Sequence, residues 1–240
     1  MNNLILALKA HKSNVDVHRH SAYQIVYTSD NPFHTISGDQ YCENIFGFII
    51  RPQVSHSCIC TNSNLIVMNI EAYSIAGKNI SEKLGSKNTE IFFTGESFMN
   101  FFGITGIEIN IRDLIRSMNA DENVQITDNR VNSAIAIINN EYRSTRLTLD
   151  QISKTVSLSS SRLAFLFKQQ TGSSIMKFLL WTRIRSAIFL ILSKKDISLT
   201  SIAHECGFYD SSQMNKYMYQ MFGISPLKLR KKSDLIQFLE

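Results

Sequence analysis

One plan, a short helix followed by a tight turn and a second helix, occurs twice in the C-terminal half of the sequence. The first copy runs from Leu149 to Gly172 and the second from Leu199 to Gly223. In each copy the apolar spacing predicts two amphipathic helices, and the closing glycine is typical of a helix end. A module of this kind places its second helix in the major groove of DNA. Two copies in one chain can therefore read two successive groove faces without dimerising.

The second helix of the first copy combines a predicted core face with an unusual exposed face. Leu163, Leu166 and Phe167 recur three and four positions apart, so we expect them to be buried. The face predicted to meet the groove consists of Ser161, Ala164, Phe165 and Lys168. Its two apolar members suit thymine methyl groups, although Phe165 can instead pack on the N-terminal domain. The residues predicted to contact phosphates are Ser160, Arg162 and Lys168.

The second helix of the second copy has a more polar face. Its predicted core consists of Met214, Met218, Met221 and Phe222. The residues predicted to meet DNA are Ser211, Ser212, Asn215, Lys216 and Tyr219. Asparagine can pair with adenine and lysine can reach guanine, so Asn215 and Lys216 are the strongest candidates for base contacts. The alternative is an ordinary solvated helix face.

A long helix is predicted between the two copies, because Ile175–Ser193 contains neither glycine nor proline. Its apolar stripe consists of Ile175, Leu179, Ile184, Ala187, Ile188 and Ile191. A helix of this length spans roughly 28 Å, which suits reading helices placed about one DNA turn apart. Arg183 and Arg185 either pair with neighbouring helices or reach phosphate.

Positive charge is concentrated in the same half of the chain. Residues 131–240 carry 15 lysines and arginines against 7 aspartates and glutamates, a net charge of +8, whereas residues 1–130 have a net charge of −3. A basic half fits a polyanionic partner, with a solvated basic face as the alternative. Together with the repeated motif, the charge predicts double-stranded DNA as a partner.

The N-terminal half is predicted to contain short strands and then helices. Segments rich in β-branched and aromatic residues are Tyr23–Tyr27, Ile45–Ile50 and Leu65–Ile70, and turn-like stretches separate them. Helical spacing follows over Ile109–Met118 and Val131–Tyr142. Residues 77–105 fit neither pattern because glycines interrupt them.

These patterns predict an α+β fold with two domains. Residues 1–125 are expected to form a β-sandwich or small barrel with accompanying helices. Residues 131–235 are expected to form an all-α domain, with helix-turn-helix units at about 149–172 and 199–223 joined by the long helix. The boundary is placed in the polar stretch between Asn119 and Asn129.

Three histidines and a glutamine in the β-rich half are candidates for an effector pocket. His18 and His20 are two positions apart, which predicts that they share one face of a strand, and Gln24 and His56 follow. We expect these four residues to line a pocket for one small ligand, with no bound metal or other cofactor. A transition metal held by the three imidazoles is the alternative, although no carboxylate stands with them.

Residues 131–232 resemble the DNA-binding domain of AraC/XylS-type transcriptional regulators. The signature-like runs are Ile197–Ser212 and Phe222–Arg230, and the linker-helix positions are Arg183, Ala187 and Leu192. Methionines 214 and 218 stand where the family usually has aromatics, which are size-compatible changes in a core. Ala164 and Phe165 also depart from the usual pattern, which bears on how the first copy reads DNA.

The N-terminal half resembles the cupin-like sensor domains of the same family. The residues that carry this resemblance are His18-Arg19-His20, Tyr23-Gln24, and Arg51-Pro52 followed by His56, with Gln24 where cupins usually have a carboxylate. The resemblance implies a transcription regulator, usually an activator that contacts RNA polymerase. It also implies effector binding and dimerisation through a helix such as Ile109–Met118.

Other classes of protein find little support in the sequence. The four cysteines form neither a CxxC motif nor a disulfide framework, and no apolar stretch has membrane-spanning length. We therefore expect a cytoplasmic protein without a membrane partner. Phosphate loops, nucleophile elbows and HExxH motifs are missing, so an enzyme is not expected. The alternative that retains catalysis is a cupin metalloenzyme fused to a DNA-binding domain, with His18, His20 and His56 as ligands.

Overall fold

The chain forms two compact units. The computed structural model describes residues 5–105, 109, 111–118 and 128–238. Unit 1 comprises Met1–Val124 and Asp234–Glu240, and unit 2 comprises Gln125–Ser233. The polar stretch in which the sequence places the boundary lies almost wholly outside the described residues. The last residues of the chain belong to unit 1, so unit 2 is inserted in sequence before the final strand of unit 1.

Unit 1 contains two antiparallel sheets. Their strands are β1 (Ile5–His11), β2 (Asn14–His18), β3 (Ala22–Tyr27), β4 (Phe33–Ser37), β5 (Gln40–Ile45), β6 (Gly47–Ile50), β7 (His56–Ile59), β8 (Asn64–Glu71), β9 (Thr89–Phe92) and β10 (Ile236–Phe238). The larger sheet has the order β10-β1-β8-β3-β6-β9, and the smaller sheet has the order β2-β7-β4-β5. The predicted strands at 23–27 and 65–70 are confirmed. The predicted strand Ile45–Ile50 is instead two strands that meet at Phe46.

The larger sheet is covered on both faces, which explains why every residue of β3 is buried. On one face, Val26 and Phe48 pack with Phe33 and Cys58 of the smaller sheet. On the other face, Ile25 packs against apolar side chains of three helices. Because successive strand residues point to opposite faces, a strand buried on both sides is mostly apolar, and in β3 the polar exception is Gln24.

The helices of unit 1 lie in the part of the sequence that showed no clear pattern. They are α1 (Ile75–Leu84), α2 (Gly95–Phe102) and α3 (Ile111–Met118). Gly85 and Gly103 end α1 and α2 with positive φ, a conformation that costs glycine little. Two of the glycines that obscured the pattern, Gly85 and Gly103, are therefore helix ends. Leu114 and Met118 of α3 are buried in the core of unit 1, and a role of this helix in dimerisation stays a prediction.

Unit 2 consists of helices with polar N-caps. They are α4 (Asn129–Glu141), α5 (Leu149–Thr155), α6 (Ser160–Thr171), α7 (Ile175–Ser193), α8 (Leu199–Glu205), α9 (Ser211–Phe222) and α10 (Pro226–Lys231). A serine, threonine or aspartate side chain accepts a backbone N–H at each N-cap, including the predicted cap Ser159. The two predicted helix-turn-helix units are thus confirmed as α5–α6 and α8–α9.

The long helix α7 is the centre of unit 2. All six residues of its predicted apolar stripe are buried, and Phe178, Trp181 and Leu190 are buried as well. The buried surface is wider than one stripe because α4, α6, α8, α9 and α10 all pack on this helix. Among the described residues, every helix is too short or too polar to cross a membrane.

The end of α4 is fixed by α7 and by the turn of the second helix-turn-helix unit. Arg183 of α7 donates from Nε to the Tyr142 carbonyl at 2.7 Å and from its Nη2 to the Ser144 carbonyl at 2.8 Å. Gly207 lies against the same segment, since a Cβ atom there would be 2.5 Å from the Tyr142 oxygen. Of the two sequence-based interpretations of Arg183, pairing with a neighbouring helix is confirmed.

We predict that Gly207→Ala destabilises unit 2 more than Gly172→Ala does. Both glycines have positive φ, but a Cβ at Gly172 meets nothing within 4 Å, whereas one at Gly207 meets backbone. Gly172→Ala should cost about 1 kcal/mol from backbone strain alone. Gly207→Ala should cost about 1–3 kcal/mol more because of the clash. Urea unfolding of both variants measures the difference, and equal losses would contradict the packing of the turn on α4.

We also predict that Arg183→Ala lowers the free energy of unfolding by about 2 kcal/mol, because two carbonyls lose a charged donor. Arg183→Lys should recover only part of this loss, since an ammonium cannot reproduce the planar fork. The control is Arg146→Ala, an exposed arginine in the same unit, with an expected change within about 0.5 kcal/mol. A loss no larger than in the control would show that the two hydrogen bonds add nothing to stability.

Candidate nucleic-acid interface and histidine cluster

The predicted reading face of α6 is on the surface. Ser161, Phe165 and Lys168 are exposed, while Ala164 is half-buried. The Phe165 side chain is 58% exposed. Its packing on the N-terminal domain stays an alternative prediction. The Arg162 guanidinium lies 5.7 Å from the centre of the Phe165 ring. This pair presents an aromatic surface and a positive charge side by side.

The hydroxyl groups at the start of α6 lie within hydrogen-bond distance of other serines of the first helix-turn-helix unit. Ser160 is half-buried, and its Oγ lies 3.0 Å from Oγ of Ser153 on α5. Ser161 Oγ lies 3.3 Å from Oγ of the N-cap residue Ser159. Ser160 therefore joins the two helices of the first unit, and its predicted phosphate contact stays a prediction.

The predicted reading face of α9 is polar and exposed. Ser212, Asn215 and Lys216 are exposed, Tyr219 is 46% exposed, and Ser211 is half-buried. The four residues predicted to form the core of this helix, Met214, Met218, Met221 and Phe222, are buried. The burial of the methionine face holds the asparagine and lysine face outward, as a reading helix requires.

The turns of the two helix-turn-helix units have equivalent backbone hydrogen bonds. The backbone N–H groups of Ser157 and Leu158 donate to carbonyls of α5, and those of Gly207 and Phe208 donate to the corresponding carbonyls of α8. The first residue of each pair has positive φ, at 55° for Ser157 and 81° for Gly207. This arrangement is the C-terminal motif that closes a helix with a left-handed residue. The sequence repeat thus corresponds to a structural repeat.

A groove beside α9 enlarges the predicted face. It has a volume of about 310 Å³ and is lined by Leu199, Ser211, Ser212, Met214, Asn215, Pro226 and Leu227. Tyr209, which precedes the N-cap of α9, is 78% exposed. The sequence analysis did not single out Tyr209 or Leu227. An aromatic directly before a helix N-cap in the turn was the available signal for Tyr209.

The three predicted pocket histidines meet in the interior of unit 1. His18 at the end of β2 pairs in register with His56 at the start of β7, so their side chains are neighbours across the strands. Their ring centres are 4.0 Å apart, and the His20 ring lies 5.7 Å from that of His18 and 5.0 Å from that of His56. All three side chains are buried.

The route by which His20 reaches this cluster differs from the prediction. β2 ends at His18, so His18 and His20 do not share one face of a strand. His20 lies in the connection to β3, and its carbonyl accepts a hydrogen bond from the backbone N–H of Gln53 at 2.8 Å. A tertiary contact, and not strand alternation, therefore positions His20.

Each imidazole is oriented by a backbone carbonyl. The Nδ1 atoms lie 2.8 Å from the carbonyl of Asp16 for His18, 3.0 Å from that of Ala22 for His20, and 2.9 Å from that of Val54 for His56. A carbonyl only accepts, so Nδ1 carries the proton in each ring and Nε2 of a neutral ring carries a lone pair.

Burial keeps these rings neutral. It lowers the pKa of His18 to about 4 and that of His20 to about 3, and the positive charge of a neighbouring imidazolium adds to the second effect. The pKa of His56 is lowered in the same way, by burial first and then by His18 and His20. Candidate ligand atoms of the three rings all lie within 4.8 Å of one another. The cluster thus brings three neutral imidazole rings together in the interior of unit 1.

Gln24, the fourth predicted pocket residue, forms a hydrogen bond with Asn69. It is buried on β3, and its amide nitrogen donates to Oδ1 of Asn69 on β8 at 3.1 Å. This hydrogen bond joins two neighbouring strands of the larger sheet. A shared pocket of Gln24 and the histidines stays a prediction.

Comparisons with known proteins agree with the repeated motif. Residues 152–232 match the family described as "Helix-turn-helix domain". The Msm operon regulatory protein of Streptococcus mutans is 33% identical over 112 residues, which are 47% of this chain and 40% of that protein. The HTH-type transcriptional activator RhaS of Escherichia coli is 30% identical over 121 residues, which are 50% of this chain and 43% of that protein. The chain therefore matches less than half the length of these relatives.

A solved structure resembles nearly the whole chain. ToxT from Vibrio cholerae superposes with a TM-score of 0.60 at 13% identity, covering 96% of this chain and 98% of that chain. At this identity the likeness shows the fold alone: a β-rich N-terminal part followed by a helical C-terminal part. The matched domain and the two relatives show that residues 152–232 are similar to the helix-turn-helix domain of transcriptional regulators.

Proposed function

We propose that this chain is a sequence-specific DNA-binding transcription regulator. The observation that carries the proposal is the pair of exposed helix faces on α6 and α9, each the second helix of a helix-turn-helix unit and both packed on α7. The net charge of +8 over residues 131–240 favours approach to the phosphate backbone. We propose α9 as the main base-reading helix, because it exposes Asn215 and Lys216.

We further propose that α6 contributes position more than sequence. Arg162 and Lys168 are exposed cations that suit phosphates, and contacts to phosphates fix register without distinguishing bases. Phe165 can add an apolar contact with thymine methyl groups in the major groove. This division of roles follows from the different chemistry of the two exposed faces.

Unit 1 is proposed as the regulatory part. A ligand or partner that binds there shifts how unit 2 engages DNA only if it binds two conformations with different affinity. Activation is the proposed sign of regulation, in line with the relative RhaS, which is named a transcriptional activator. Contact with RNA polymerase is the proposed means of activation. Dimerisation is part of the same proposal. The alternative of a cupin metalloenzyme finds no support in the relatives, which are named as regulators.

DNase I footprinting of the purified full chain on upstream fragments of its own genome, at physiological salt, tests the proposal. Two protected major-groove segments about one helical turn apart would support two reading units. Protection of one segment would assign sequence reading to α9 alone. Uniform and salt-sensitive binding to all fragments would contradict a sequence-specific regulator.

We predict that Asn215→Ala weakens binding to the protected site by about 1–3 kcal/mol and changes binding to random DNA much less. Lys216→Ala should act in the same direction. Lys9→Ala is the matched control, because it removes one exposed positive charge from unit 1. Gel-shift titrations on specific and random duplexes measure both affinities. Equal losses on the two duplexes would remove Asn215 and Lys216 from base reading.

We predict a different result for Lys168→Ala. If this side chain neutralises a phosphate, its loss weakens binding to all sequences alike. The slope of log K against log salt concentration should then become shallower by about 0.9. Titrations at four salt concentrations give the slope, with Lys9→Ala again as the control. An unchanged slope, or a loss confined to the specific site, would contradict a phosphate contact.

A further inference from the structure

The histidine cluster of unit 1 has the properties of a ligand set rather than of a packed core. Atoms Nε2 of His18 and His56 are buried and have no hydrogen-bond partner among the described residues. Leaving a buried acceptor unpaired is costly, and two such acceptors side by side call for a common partner. The third ring, that of His20, is held within 6 Å of both by its own backbone contacts.

The orientation of the rings matches what a metal ion requires. A metal-binding histidine usually donates its second ring N–H to a carbonyl or carboxylate, which fixes the tautomer and aims the lone pair. Here the carbonyls of Asp16, Ala22 and Val54 do this for all three rings. The pairing of His18 with His56 across β2 and β7 adds a rigid base for two of the ligands. The protein thus supplies the outer contacts of the site as well as its ligands.

We propose that unit 1 binds one divalent transition-metal ion through the Nε2 atoms of His18, His20 and His56. Imidazole nitrogens suit Zn²⁺, Cu²⁺, Ni²⁺, Co²⁺ and Fe²⁺, whereas Mg²⁺ and Ca²⁺ require oxygen ligands. Two nitrogens bound to one tetrahedral zinc lie about 3.3 Å apart, given Zn–N bonds of about 2.0–2.1 Å. The candidate ligand atoms lie within 4.8 Å of one another, so small rotations of the rings close the site.

The proposal also gives the metal a role in unit 1. The ion would join the end of β2, the connection between β2 and β3, and the start of β7, because the three ligands lie in these segments. It would thereby link the smaller sheet to the strand that follows it in the larger sheet. The inference that the metal regulates DNA binding rests on the proposed function. The inference that unit 1 binds a metal does not depend on it.

The first test measures metal binding by the full chain after treatment with a chelator and dialysis. Calorimetric titration with Zn²⁺ and visible absorption with Co²⁺ should each give one ion per chain, and Mg²⁺ should give no binding. Zn²⁺ should raise the melting temperature by at least about 4 °C, because it binds only the folded state. Failure of both transition metals to bind, or equal binding of Mg²⁺, would overturn the site.

Substitution of single histidines tests which residues bind the metal ion. His18→Ala and His56→Ala should weaken Zn²⁺ binding at least tenfold and abolish the Co²⁺ absorption of the site. The matched control is His11→Ala, a histidine of unit 1 that bonds Asn64 and lies outside the cluster. His18→Gln and His56→Gln, which retain side-chain bulk, serve if circular dichroism shows that an alanine variant is unfolded. Undiminished binding in folded variants of His18 and His56 would overturn the assignment.

The second test separates this inference from the proposed function. Affinity for the footprinted DNA site is measured with and without Zn²⁺, for the wild type and the two glutamine variants. A change in the wild type that both variants lose would support the metal as the regulating ligand, and no change would overturn that role. Metal binding by a chain that shows no specific DNA binding would support the site and overturn the proposed function.

Discussion

The two hydrogen bonds of Arg183 connect the parts of unit 2 that have to act together. They tie α7 to the end of α4, and the turn of the second helix-turn-helix unit packs on the same carbonyls through Gly207. Burial lowers the pKa of the Arg183 guanidinium, yet its hydrogen bonds to two carbonyls favour retention of the charge. The junction of α4, α7 and the turn before α9 therefore includes one partly buried cation. Its described hydrogen bonds go to two backbone carbonyls of the same unit.

The two helix-turn-helix units have the same backbone and different surroundings, and this explains their different residues. Ser157 and Gly207 occupy the same left-handed position of the turn. Ser157 is exposed, so a side chain there costs only backbone strain, of about 1–2 kcal/mol. Gly207 contacts backbone, so no side chain fits. The glycine of the second turn is explained by packing within unit 2, whereas the residues that differ between the α6 and α9 faces lie on the surface that we propose contacts DNA.

Much of unit 2 could be predicted from sequence because each of its helices carries its own signals. Apolar spacing, N-cap residues and closing glycines are local, and they placed both helix-turn-helix units and the stripe of α7. Unit 1 was harder, because its strands are short and its order depends on contacts distant in sequence. Strand β10 pairs with β1, although the two strands lie near opposite ends of the sequence. No local pattern at residues 236–238 predicts this strand. Because Gly85 and Gly103 interrupt the apolar spacing, α1 and α2 were not predicted, although these glycines terminate the two helices.

The geometry of the histidine cluster could be predicted from the sequence only in part. The sequence analysis grouped His18, His20 and His56, whose rings the structure brings together, but it derived the proximity of the first two from alternation along one strand. The structure instead brings His20 inward after the strand has ended, through the contact of its carbonyl with Gln53. The direction of each lone pair depends on three backbone carbonyls that no residue type encodes. A residue pattern can therefore identify the candidate ligands, whereas the case for a metal depends on the orientation that the backbone imposes on them.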